Sequence, residues 1–114
     1  MEPEFESLLA LGFRILTEGP RQVLLCRTAD GNEHYASLLH IGDHREEQIL
    51  LTELAHQPVT HIISLWEDTT LDVPSYAFRQ ALLASCPGSE NALVLLQTGS
   101  GQIPIPLSML PHQA

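Results

Sequence analysis

The chain has 114 residues, 44% of them hydrophobic, enough for one globular domain whose core needs no metal or disulfide staple. Fourteen acidic residues against five arginines, with no lysine, leave a net charge of −9. That charge repels phosphate backbones and anionic bilayers, so nucleic-acid and membrane-surface binding are excluded. No apolar run reaches the ~20 residues of a membrane helix. The opening MEPEFESLLAL is acidic where a leader would be basic, so a cytoplasmic location is expected. Cys26 and Cys86 are expected to be reduced, buried thiols.

A short helix is predicted over 4–11, because Phe5, Leu8 and Leu9 recur at i, i+3 and i+4, with Gly12 placed to cap it. FRILTE (13–18) then reads as a strand ending at Gly19-Pro20. QVLLCRT and EHYASLLH flank Asp30-Gly31, a hairpin signal for a two-residue turn with both central residues at positive φ. That turn sets Cys26 opposite Tyr35 and Val23 opposite Leu38. Both faces of the hairpin carry apolar residues, so a central position in the sheet is expected.

A second helix is predicted over 44–56, with Leu50, Leu51, Leu54 and Ala55 on its inner side. The β-branched run VTHIISLW (59–66) reads as a strand. A third helix follows over 74–86, with Asp72 as the candidate cap and Phe78, Ala81, Leu82 and Ser85 facing the core. ALVLLQ and QIPIPL form a last hairpin. Pro104 and Pro106 alternate in its final strand, which must therefore lie at an edge of the sheet. The order α-β-β-β-α-β-α-β-β is that of an α+β domain over 1–110. It has a largely antiparallel sheet of five to six strands, two or three helices, and a loose tail at 111–114.

Chemistry is sparse. His34, His40, Asp43 and His44 are the only crowded ligand types near one another in sequence. His34 and His40 would stand roughly 20 Å apart along a strand, too far to share an ion. Asp43-x-x-Glu46 matches a capping box instead, so these residues mark a strand-to-helix junction, with Gly42 giving the bend. There is no nucleophile elbow and no phosphate loop. No catalytic residue, metal ligand or cofactor is assigned.

Two helix surfaces stand out. Ile49 is apolar beside Glu46 and Glu53, and Tyr76, Arg79 and Leu83 line one side of the third helix. Tyrosine and arginine are common at binding hot spots. The expected function is a small acidic, non-catalytic module that binds a basic protein, as an inhibitor, immunity-type protein, chaperone or adaptor. The alternative is a small-molecule-binding domain or small enzyme, with Cys26, His34 or His61 in a pocket between sheet and helices. A homodimer through the sheet's exposed face is a third reading.

Overall fold

The computed structural model describes residues 2–40 and 44–111. Helix α1 (Pro3–Leu16) has proline in its first turn, where the absent N–H is no loss, and Glu4 and Glu6 at its positive end. It does not stop at Gly12. A Cβ there would stand 2.9 Å from Leu65 Cδ2 and 3.1 Å from Leu25 Cδ1, so the bare residue lets the helix backbone close onto the sheet. Residues 13–18, expected as a strand, instead carry the helix to Leu16 and a turn beyond it. Phe5, Leu8, Gly12 and Ile15 form its buried stripe.

Strands β1 (Gln22–Thr28) and β2 (Glu33–Leu38) form the expected hairpin in a register one residue away from the expected one. Cys26 faces His34 and Val23 faces Ser37. Only Gly31 of the turn has positive φ. Asp30 stays right-handed because its carboxylate accepts from the Thr28 hydroxyl and from the Asn32 N–H and amide. The Thr28 N–H then donates to the Asn32 carbonyl, closing a three-residue loop with glycine at its left-handed position.

Helix α2 (His44–Glu53) ends earlier than expected, with Ala55 and His56 both at positive φ. The proposed Asp43 cap and Gly42 bend lie outside the described residues. Strand β3 (Val59–Trp66) matches its expected span, and a two-residue strand β4 (Leu71–Asp72) pairs with it. Helix α3 (Tyr76–Ser85) is capped by Ser75, not Asp72: the Ser75 Oγ accepts from the Phe78 N–H at 3.2 Å. Strands β5 (Leu93–Thr98) and β6 (Gly101–Pro106) complete the sheet.

The strand order is β2-β1-β3-β5-β6, with β4 beside β3. The prolines of β6 lie at an edge, as expected. The hairpin is not wholly central, since β2 forms the other edge. The sheet is mixed, because β3 and β5 pair in parallel across the α3 crossover. Both β1–β2 and β1–β3 are antiparallel, so β2 and β3 also point the same way. Crossovers in such units share one hand, which puts α2 and α3 on the same face of the sheet and leaves α1 the other.

Two cores follow from strand alternation. Leu24, Cys26, Ile62 and Val94 pack with Leu50, Leu54, Phe78 and Leu82 on the α2/α3 face. Val23, Leu25, Ile63, Leu65 and Leu95 pack with Phe5, Leu8 and Ile15 on the α1 face. The result is a three-layer α+β domain. Among the described residues no helix is long and apolar enough to cross a membrane.

Candidate functional site

Because β2 and β3 run in the same direction, the helices that follow them begin at the same end of the sheet. Ligands of open sheets with crossover helices bind outside the carboxyl ends of the strands. At that end the starts of α2 and α3 each present the positive end of a helix dipole. Between them lies Glu47.

Glu47 is on the first turn of α2 and is 6% exposed. One carboxylate oxygen is 3.1 Å from His44 Nδ1, one helical turn back. The other accepts from the Ser75 hydroxyl at 3.3 Å. Ser75 thus has two roles, capping α3 through its lone pair and donating its proton to Glu47. A buried carboxylate needs such partners, and the two helix ends add to its stabilisation. An ionised carboxylate has about four acceptor positions, so about two remain for a ligand. Beside it opens a cleft of about 300 Å³, lined by His44, Glu47, Gln48, Leu51, Ala77, Phe78 and Ala81.

Most residues singled out in the sequence lie away from this centre. Ile49 is 45% exposed and Glu53 is exposed, both on the outer side of α2, while Glu46 is half-buried. Tyr76 and Leu83 are half-buried, and Leu83 packs on the core. Arg79 is not on the surface. It is 4% exposed, with its Nε donating to the Pro74 carbonyl at 3.1 Å and Nη1 to the Pro111 carbonyl at 2.7 Å. It ties the C-terminal segment to the start of α3, and burial draws its pKa down. Cys26 and Cys86 are free thiols in the core, both with pKa raised by burial, and Cys86 adds to the rise at Cys26. His34 sits opposite Cys26 across the hairpin. His61 faces the α1 layer, its ring edge-on to Phe5.

No family model matches the sequence, and no curated protein sequence matches it. Solved structures do match. Cytidine deaminase from Mycobacterium tuberculosis superposes with a TM-score of 0.65 over 98% of this chain and 98% of that one, at 15% identity. The enzyme from Burkholderia pseudomallei does so with 0.65 over 100% of both chains at 14% identity. That from Bacillus anthracis gives 0.66 over 94% and 85% at 17% identity. The chain has the cytidine deaminase fold.

That likeness corrects the expectation of a non-catalytic acidic module for a basic protein partner. The scaffold is shared over its whole length with solved structures of enzymes. Net charge, which motivated the earlier expectation, reports on solubility and encounter rather than on fold.

Zinc-dependent nucleobase deaminases hold the ion by a histidine or cysteine and two cysteines, in an H-x-E…P-C-x-x-C pattern. The spacing has a counterpart here. His44-Arg45-Glu46 opens α2, and Pro74-Ser75-Tyr76-Ala77-Phe78 opens α3. Where that pattern has its two thiolates, this chain has a hydroxyl, Ser75, and a core phenyl ring, Phe78, that is 1% exposed. The chain's two cysteines stand elsewhere, on β1 and at the end of α3. One imidazole cannot make a zinc site with these neighbours, so the donor set does not fit a deaminase zinc. The H-x-E at a helix start was the signal in the sequence. Without its cysteines it reads as a helix cap.

Proposed function

We propose that the chain binds an amino-bearing nucleobase or nucleoside in the cleft between α2 and α3. Glu47 performs acid–base chemistry on it, without zinc. The observation that carries this reading is the Glu47 carboxylate, buried at the meeting point of two helix starts and positioned by His44 and Ser75. A carboxylate accepts from an exocyclic amine such as that of cytosine and repels a carbonyl in the same place. The cleft is of a size for a base, at the small end of ligand pockets. Leu51 and Phe78 supply apolar walls, and the Gln48 amide supplies a further polar group at the rim. Buried, reduced Cys26 and Cys86 suit a reducing compartment, and we place the chain in the cytoplasm.

Calorimetric titration with cytidine and uridine in the presence of EDTA tests the reading. Cytidine should bind, and uridine, which lacks the amine, should bind roughly tenfold or more weakly, the value of a hydrogen bond to a charged group. Glu47→Gln should erase the preference. Equal binding of the two nucleosides, or binding of neither, defeats the proposal. Ammonia release from cytidine that requires added zinc would defeat its zinc-free part.

A further inference from the structure

On the opposite face of the sheet, the first turn of α1 lies over β3. Glu2, Glu4 and His61 each bring one ligand atom there, all within 4.8 Å of one another. Among the described residues this is the one such group of His, Cys, Asp or Glu. Glu2 Oε1 is 3.6 Å from His61 Nε2.

The histidine carries the argument. Its side chain is only 12% exposed, and Nε2 itself is buried without a hydrogen-bond partner. The other nitrogen is engaged: Nδ1 is 2.8 Å from the Thr60 hydroxyl. Thr60 has a single hydroxyl proton, and the Arg27 carbonyl at 3.2 Å is an acceptor for it. With that proton on the carbonyl, the hydroxyl oxygen accepts from Nδ1–H, the tautomer that leaves Nε2 without a proton. In the neutral ring, Nε2 is then a bare lone pair, held out of water and facing two carboxylates. Three acceptors converge with no donor among them. Only a cation or a proton resolves that arrangement, and a hydrogen-bonded far nitrogen is the usual support of a metal-ligating histidine.

We propose that Glu2, Glu4 and His61 bind one divalent transition-metal ion of the zinc class. Tetrahedral bonds of about 2.0–2.1 Å put donor atoms about 3.4 Å apart. The Glu2–His61 pair is already near that spacing, and the two glutamates, on a half-open helix start, close the rest by rotation about their side chains. One imidazole with two carboxylates suits zinc, manganese or iron, whereas magnesium and calcium favour oxygen alone. Three protein ligands leave a position open, the pattern of reactive rather than structural zinc. That position has somewhere to lead: a cleft of about 630 Å³ lined by Glu2, Phe5, Leu95, Gln102 and Pro104 adjoins the cluster. Its walls are mostly apolar, with the Gln102 amide as a polar contact.

The test uses the untagged full chain, stripped with EDTA and dialysed against zinc chloride alone, with bound metal counted and melting followed. One zinc per chain and a raised melting temperature are expected. Glu4→Gln, on an accessible helix start, should weaken zinc roughly tenfold or more without lowering the metal-free melting temperature. Thr60→Val, which frees the far nitrogen, should weaken it roughly 10–100-fold. His40→Ala, at an exposed histidine outside the cluster, should change nothing. No zinc uptake, or uptake that survives Glu4→Gln, overturns the proposal, even if His61→Asn proves unstable.

Discussion

If α2 and α3 keep the cradle of a deaminase and have lost only its donors, then restoring the donors should restore zinc. Ser75→Cys with Phe78→Cys places two thiols on α3 facing His44 on α2. The change is not free. Phe78 is 1% exposed, and truncating a buried phenylalanine costs about 3–5 kcal/mol. Loss of the Ser75 cap adds about 1 kcal/mol. With the thiol groups recovering part of the lost packing, a net loss of about 4 kcal/mol is expected without metal. For a domain this size that lowers the melting temperature by roughly 15 °C. Zinc at a hundredfold excess over its dissociation constant would return about 2.7 kcal/mol, or roughly 10 °C. The assay is a set of thermal melts in buffered zinc, run in a Glu4→Gln background so that an ion at His61 does not contribute. Each single substitution should melt lower and recover little. A double variant that zinc rescues no better than either single one would refute the reasoning. It would mean that the two helix starts do not meet in deaminase geometry, and the case for a nucleobase beside Glu47 would weaken with it.

Two further predictions concern residues outside the cleft. Arg79→Met should cost about 2–4 kcal/mol in urea unfolding, because the Pro74 and Pro111 carbonyls lose their charged donor. Ile49→Ser, at a position 45% exposed, should stay within about 0.5 kcal/mol, and a larger loss would contradict the assigned faces of α2. The thiols give a pH dependence. Cys26 and Cys86 are held protonated in the fold by burial, with their pKa raised above the ordinary 9.0. Their contribution is complete below that value and is lost as pH rises beyond it, since the unfolded chain then releases protons that the native chain keeps. Stability should fall as pH rises through 9.0 and above, and a Cys26→Ala, Cys86→Ala variant should fall less. A thiol reagent at pH 8 should label neither cysteine until denaturant is added.

The parts of the fold that local chemistry dictates were legible in the sequence. Val59–Trp66 is β-branched and continuous, so it reads as a buried strand. Pro104 and Pro106 each lack a donor, so β6 reads as an edge. The failures share one cause: a residue whose usual local meaning was overridden by the partners it found in the fold. Gly12 looks like a helix stop, but it is there so that α1 can approach Leu25 and Leu65, and the helix runs on to Leu16. Asp30-Gly31 looks like a two-residue turn, yet the Thr28 and Asn32 partners of the Asp30 carboxylate choose a longer loop and shift the register by one. Arg79 falls on an outer stripe of an isolated helix, but the C-terminal segment folds over it. The candidate site was hidden in the same manner. Glu47 gives no signal alone, because its partners are His44, three residues before it, and Ser75, on another helix 28 residues away. Only the crossover topology brings them together. The pattern that would have pointed there, a histidine and glutamate at one helix start and two cysteines at the next, has a counterpart in spacing but not in its cysteines. Under the proposed function, the convergence of two helix ends holds the ligand, and the buried Glu47 carboxylate acts on it without a metal. That is why the substitutions at Ser75 and Phe78, rather than at the surface of α2, are the decisive ones to make.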